Sequence, residues 1–293
     1  MNRDIITRLN DYLPKMSKGH KKIAEYMLEN YEKAAFMTAS KLGGIVGVSE
    51  STVVRFATEL GFDGYPEMQR ALRHYTCNHL TSVQRIELMD DQIGTQNIYE
   101  KVLSLDMERI RTTLEECNMD EFNNAVDVIS RSRNVYIIGA RSTGAIASFM
   151  AFYFNVMFEN VKLITTASSS EMFEQILRIG ESDTDVMIAL SFPRYSRRTL
   201  EAVQYAHNNG VKVVAITDSA TSPIVDSADY AILARSYMDS FVDSLVAPLS
   251  VINALIVSIG IKRREYVSKN FERLERIWDE YKIYDKPAEE KKN

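Results

Sequence analysis

Two cysteines, one tryptophan, four histidines and six prolines are all that this 293-residue chain carries of these types. Cys77 and Cys117 share no motif spacing, so neither a disulfide framework nor a thiolate metal site is expected. No apolar run reaches the roughly 18–20 residues that span a bilayer. The oiliest stretch, Leu245–Ile261, is broken by Pro248, Ser250, Asn253 and Ser258. The N-terminus, MNRDIITRLNDYL, is charged and amphipathic and lacks a signal-peptide core. These absences point to a cytoplasmic protein with no membrane partner, no metal and no cofactor.

What is present is ordinary globular material, 45% hydrophobic and 26% charged, with a formal charge of −5. The charge is unevenly spread. Residues 1–80 hold 11 Lys and Arg against 9 Asp and Glu, while the remainder holds 24 against 31. A mildly basic N-terminal part therefore precedes an acidic body. Because screening cuts fields off at roughly 8 Å in physiological salt, the local surface matters more to a polyanion than the total does. Lys15, Lys18, His20, Lys21 and Lys22 cluster just before an apolar helix.

Residues 1–77 read as short helices. Ile23, Tyr26, Met27 and Tyr31 share a face at helical spacing, with Ser17 as cap. Thr38 caps the next helix, whose Leu42, Ile45 and Val46 are expected to face inward. Gly47 ends it, since glycine takes the left-handed conformation cheaply. Val48 is expected to plug the core, Ser49 to cap ESTVVRFATEL, and Gly61 to stop it. Helix, tight glycine turn, helix is the spacing of a helix-turn-helix. In the second helix Val53, Phe56, Ala57 and Leu60 fall at i, i+3, i+4, i+7 and should be buried, leaving Ser51, Thr52, Arg55 and Thr58 outside. Short hydroxyls allow close approach to DNA, and Arg55 can grip a guanine edge or a phosphate with two hydrogen bonds. The candidate DNA-binding residues are Lys18, Thr38, Lys41, Ser49, Ser51, Thr52 and Arg55.

Residues 78–105 show no strong strand pattern, and Asp90, Asp91, Gly94 and Thr95 mark a break. Helical periodicity resumes at Ile98 and again over residues 119–132. Strands and helices then alternate: NVYIIG, a helix from Ser142, VKLIT, a helix over residues 168–180, DVMIALS, a helix from Ser196, VKVVAIT, ADYAILA, and a long helix from about Ser240 to Lys262. Such alternation predicts a parallel sheet flanked by helices, with ligands held beyond the strands' carboxyl ends. Polar residues sit there. GARSTG supplies Gly139, Arg141, Ser142 and Thr143; SFPRYSRRT supplies Ser191, Arg194, Tyr195, Ser196 and Thr199. Backbone amides, hydroxyls and guanidinium groups at two helix starts suit a phosphate or carboxylate. Neither loop has dinucleotide or P-loop spacing. Ser222, Pro223 and Asp229 are expected to shape the turn before the last strand.

KKIAEYMLENY, GVSESTVVRFATELGFDGYPEMQRAL and SFPRYSRRTLEAVQYA together resemble the RpiR family of bacterial transcriptional regulators. The resemblance implies an N-terminal helix-turn-helix joined to a C-terminal sugar isomerase (SIS) domain. It implies domains at 1–77 and 106–285, a linker at 78–105 and a charged tail at 286–293. Family members usually have alanine where Gly43 stands, and Gly43 beside Gly44 should weaken their helix by roughly 0.5–1 kcal/mol each. In SIS domains a glycine-serine loop and a Ser-x-Ser-Gly-x-Thr loop hold a sugar phosphate. Ser142 matches the first, and Ser191, Ser196 and Thr199 match hydroxyls of the second, while Pro193 and Arg194 replace Ser-Gly. The implied partners are double-stranded operator DNA, a phosphosugar-type effector and a second copy, as a homodimer or homotetramer. The helices AIASFMAFYFNVMF and FVDSLVAPLSVINALIV are candidates for that interface. The alternative is an SIS-type sugar-phosphate isomerase with an accessory helical domain. Isomerisation needs a base at the sugar, and Glu171, Asp218, Asp239 and His207 show no partner that would tune one. A regulator that is not an enzyme is therefore expected.

Overall fold

The computed structural model describes residues 4–79, 81, 83–86, 97–165, 168–236 and 242–284. The expected break at Asp90–Thr95, the tail at 286–293 and Asp239 lie outside the described residues. The chain divides into two units. One is Met1–Arg109 with Pro193–Tyr195 and Ser236–Ser244; the other is Ile110–Phe192 with Ser196–Arg235 and Leu245–Asn293.

The first unit is helical. Asp4 caps α1 (Ile5–Tyr12) by accepting from the Thr7 amide at 2.9 Å, and Ser17 caps α2 (Lys18–Glu29) by accepting from that of His20. A short α3 (Tyr31–Ala34) follows. Thr38 caps α4 (Ala39–Val46), Gly47 closes it at φ 72°, and Ser49 caps α5 (Glu50–Glu59). Then comes α6 (Tyr65–His79). Leu9, Ile23, Met27, Leu42, Val53, Phe56, Leu60, Met68 and Leu72 form the core. Each such burial contributes about 1.5–3 kcal/mol against leaving the side chain exposed. The Tyr65 hydroxyl donates to the Met37 carbonyl at 2.6 Å and the Arg73 Nε to that of Ala35 at 2.9 Å, which pins α6 to the chain before α4. Later in this unit Arg85 Nη1 meets Asp243 Oδ1 at 2.8 Å, and Asp106 Oδ1 accepts from Arg109 Nη1 and from the Ser244 hydroxyl.

One sequence expectation fails here. Ile45 does not face inward: it is 48% exposed, and the inner position is taken by Gly43 instead. Gly43 is also more than a weak point in its helix. A Cβ placed on it would stand 2.7 Å from the Val48 carbonyl oxygen, so the two helices and their turn close only around glycine. Val48 is half-buried against the core.

α7 (Ile98–Glu115) begins inside the stretch read as a linker and leads to α8 (Met119–Arg131), capped by Asn118. The second unit then folds as β1 (Asn134–Gly139), α9 (Ser142–Met157), β2 (Asn160–Ile164), α10 (Ser169–Gln175), β3 (Asp185–Leu190), α11 (Arg197–Asn208), β4 (Lys212–Thr217), β5 (Tyr230–Leu233), α12 (Val246–Lys262) and α13 (Arg264–Glu280). All strand pairs are parallel, in the order β2-β1-β3-β4-β5. β3 is buried along its whole length, as continuous apolar strands in covered sheets are. One face packs Ile146, Met150 and Phe154 of α9 with Ile252, Leu255 and Ile259 of α12; the other packs Ala202, Val203 and Ala206 of α11 with Met172 of α10. Asp229 accepts from the Val213 amide at 2.9 Å and from Lys212 Nζ at 2.5 Å, a bond that raises the lysine's pKa and ties β5's start to β4.

α12 starts six residues later than expected. A start near Ser240 would put Pro248 in the helix interior, where its ring clashes with the preceding turn; starting at Val246 puts it in the first turn, where its missing N–H costs nothing. α10 also ends early, at Gln175, and turns carry the chain to Gly180 at φ 89°. α13 is not among the elements that the sequence pattern predicts.

Candidate functional site

In the sheet order the sequence of strands reverses at β1, so α9 and α11 depart to opposite faces. The carboxyl ends of β1 and β3, with Gly139 paired to Leu190, flank the resulting crevice. The loop leaving β1 is tight. Gly139 sits so close to α9 that a Cβ on it would meet the Thr143 carbonyl at 2.7 Å. Arg141 takes φ 58° and ψ −124°, a conformation that suits glycine and costs an L-residue of order 1–3 kcal/mol. Strain of this size persists where surrounding structure imposes it, and it gathers at ligand clamps. α9 has no side-chain cap; of its first amides, that of Gly144 donates to the Arg141 carbonyl at 3.0 Å. Ser142 and Arg141 are exposed, and the Thr143 hydroxyl is spent on the carbonyl of Ala140 at 2.8 Å.

The loop leaving β3 is anchored through the backbone of Ser191 but not through that residue's hydroxyl. The Ser191 amide donates to the Ile216 carbonyl, and the Ser191 carbonyl accepts from the Thr217 hydroxyl at 2.6 Å. Yet Ser191 Oγ, on a residue 3% exposed, has no hydrogen-bond partner among the described residues. The fully buried Thr199 Oγ1 is in the same state. An unmet buried hydroxyl costs about 1–3 kcal/mol, so two beside one loop mark a place where polar partners are wanted. Ser196 does cap α11, accepting from the Thr199 amide. Arg194 has φ 63°, and Pro193–Tyr195 group with the first unit. A third unmet hydroxyl, Ser222 Oγ, lies after β4, in the turn that the sequence expects it to shape. Of the candidate carboxylate bases, Glu171 is exposed at the start of α10, and Asp218 is buried with Oδ1 3.3 Å from the Thr217 hydroxyl oxygen, whose proton goes to the nearer Ser191 carbonyl. His207 is exposed in the last turn of α11.

In the helical unit α5 buries Val53, Phe56, Ala57 and Leu60 and exposes Ser51, Arg55 and Thr58, with Thr52 half-buried. Ser49 Oγ lies 2.9 Å from Ser51 Oγ and 2.8 Å from Thr52 Oγ1. Three hydroxyls thus gather at the helix start, with a favourable dipole end behind them. Lys18, Thr38 and Lys41 are exposed at the starts of α2 and α4. A Cβ on Gly19 would lie 3.7 Å from the Thr52 methyl, which places the lysine-bearing first turn of α2 beside that of α5. His20 Nδ1 meets Glu59 Oε2 at 2.6 Å and its ring meets Phe56 edge-on, holding the same two helices together. Val54 is exposed on the outer face, an apolar residue that the polar pattern of that face does not predict.

A model of the helix-turn-helix domain of the rpiR family matches residues 3–79, and a model of the SIS domain matches residues 128–258. The chain belongs to the RpiR family. It is a transcriptional regulator of RpiR/HexR type with a C-terminal SIS domain. The regulator HexR of Escherichia coli is 25% identical over 278 residues, covering 92% of this chain and 93% of that one. The sugar isomerase domain of an RpiR transcription factor from Sphaerobacter thermophilus matches with a TM-score of 0.58 and 26% identity, over 62% of this chain and 99% of that one. NanR of Vibrio vulnificus, solved in complex with ManNAc-6P, matches with a TM-score of 0.58 and 18% identity, over 95% of this chain and 99% of that one. Within this RpiR-family chain the fold is therefore as expected, a helix-turn-helix followed by a five-stranded parallel sheet flanked by helices. Among the described residues no single helix is long and apolar enough to cross a membrane.

Proposed function

We propose that this regulator binds operator DNA through α5 and senses a phosphorylated sugar or related small anion at the β1 and β3 strand ends. The unmet hydroxyls of Ser191 and Thr199 carry the sensing half. They are buried, they flank one loop, and a sugar phosphate offers the acceptors and hydroxyls they lack. The amides opening α9, with Ser142, receive the phosphate, and the guanidinium group of Arg141 supplies countercharge; Gly139, Thr143 and Ser196 shape the two loops. That NanR of Vibrio vulnificus was solved with ManNAc-6P makes amino-sugar phosphates the place to begin a ligand screen.

In the DNA-binding half Ser49, Ser51, Thr52 and Arg55 face the groove, while Lys18, Thr38 and Lys41 meet phosphates. One short helix gives marginal specificity, so two half-sites and at least a homodimer are expected. The outward Phe152 of α9, with Val257 and Ile261 of α12, offers apolar surface for that association. The isomerase alternative is weaker: among the described candidates Glu171 and His207 are exposed, as solvated carboxylate and imidazole groups are, and neither shows a hydrogen-bonded partner that would orient it as a base.

A thermal-shift screen of phosphosugars tests the sensing half. A true ligand at a hundredfold excess over its Kd stabilises by about 2.7 kcal/mol, and Ser191→Ala should abolish the shift. Shifts that survive Ser191→Ala and Thr199→Val together would place the ligand elsewhere. Turnover of a sugar phosphate by the purified chain would favour the isomerase.

A further inference from the structure

Resting on the DNA-binding reading above, we infer that Val54 is a base-reading residue that takes the 5-methyl group of a thymine in the major groove. The outer stripe of α5 is Ser51, Val54, Arg55 and Thr58, at i, i+3, i+4 and i+7, and all four are exposed. Three are polar, as a solvated face requires. Val54 is not, and at 39% exposure it contrasts with its fully buried neighbour Val53. A β-branched side chain on an open helix face lowers helix propensity and gains no packing in return. Its stiff χ1 does leave two methyl groups fixed in place, with little entropy left to lose on contact.

The neighbours narrow its role. At the helix start the hydroxyls of Ser49, Ser51 and Thr52 are engaged with one another, and Ser49 also accepts the Thr52 amide. Beyond Val54 the Thr58 hydroxyl donates back to the Val54 carbonyl at 3.3 Å, which closes that turn and leaves the isopropyl group as what it presents outward. An uncharged branched alkyl group has nothing to offer a phosphate. In the major groove the one apolar feature among the base-edge donors and acceptors is the thymine methyl. Arg55 stands next to Val54 in the chain and suits a guanine edge, so the half-site should carry a thymine within a step or two of a guanine.

The test starts with an operator selected by the full chain from a randomised duplex pool. Each thymine of one half-site is then replaced by deoxyuridine, which removes the methyl group and nothing else. At one position the replacement should weaken binding by the wild-type chain about fourfold, the worth of one methyl group taken out of water. Val54→Ala should bind the parent operator about fourfold more weakly and be indifferent to uracil at that position alone. If Val54→Ala keeps wild-type sensitivity at every thymine, the assignment is overturned. It is equally overturned if Val54→Ala lowers self-association in sedimentation while leaving the assembled protein's operator affinity intact, since Val54 then serves a protein contact. Failure of the chain to select any sequence would instead overturn the DNA-binding reading itself, at the first step. Val54 is exposed, so the alanine variant should fold, and circular dichroism checks that it does.

Discussion

Gly43 and Gly44 are adjacent in one helix and should respond oppositely to the same change. A Cβ on Gly43 meets the Val48 carbonyl at 2.7 Å, whereas a Cβ on Gly44 meets nothing within 4 Å. Gly43→Ala should therefore destabilise the helical unit by about 1–3 kcal/mol through overpacking, and Gly44→Ala should stabilise it by roughly 0.5–1 kcal/mol through helix propensity. Amide hydrogen exchange across α4 and α5 reads both. Composition revealed the glycine pair but not which member the turn presses on, because that depends on where the Val48 carbonyl returns in space. Ile45 departs from the expected inward position for a related reason: on a two-turn helix the apolar stripe and its edge differ by one residue. Tyr65 offers a test of sign. Burial pushes its hydroxyl up to about 12, against 10.0 for the free side chain. Below pH 10 its contribution is intact; from pH 10 to 12 the unfolded chain ionises there and the folded one does not, so stability falls by about 1.4 kcal/mol per unit. Denaturation of Tyr65→Phe should show a much shallower loss over that window.

The starts of the helices carry the next set of expectations. Thr199 lies in the first turn of α11 with its hydroxyl unmet, so Thr199→Val removes a penalty and fills the same space. Without ligand its melting temperature should be unchanged or raised, while phosphosugar affinity falls. A simple structural role would lower both. The strained start of α9 behaves similarly: Arg141→Gly should stabilise the apo protein by about 1 kcal/mol and weaken an anionic ligand, both measurable by calorimetry. The strands were legible because β1, β3 and β4 are near-continuous apolar runs bounded by polar loops, and the caps because Ser17, Thr38, Ser49 and Ser196 each precede a periodic stretch. Pro248 carried the true start of α12, but the apolar residues ahead of it masked the signal. α13 is not legible in the sequence because it has a polar majority and no fully buried residue. The loops' place in the sequence was plain. Their strain and unmet hydroxyls were not, since both arise from how separate strands meet.

Across the whole molecule charge is segregated, with a mildly basic helical part preceding an acidic remainder. Operator binding should weaken with salt, the logarithm of the affinity falling by roughly 0.9 per phosphate neutralised for each log unit of salt. Lys18→Ala should reduce that slope by about one and leave sequence preference unchanged, whereas Arg55→Ala should relax preference at one base pair. Gel retardation across a salt series separates the two.

The first unit also borrows from far along the chain. Its buried Arg85 meets Asp243, and Asp106 meets Ser244, both from the segment Ser236–Ser244. A gene cut after codon 109 would leave that carboxylate and that hydroxyl behind. Such a fragment would have to hydrate a guanidinium built for a dry setting, and should yield a looser product than the same helices give in the intact polypeptide. The far end of the first unit is thus closed only after ribosomes have passed most of the message.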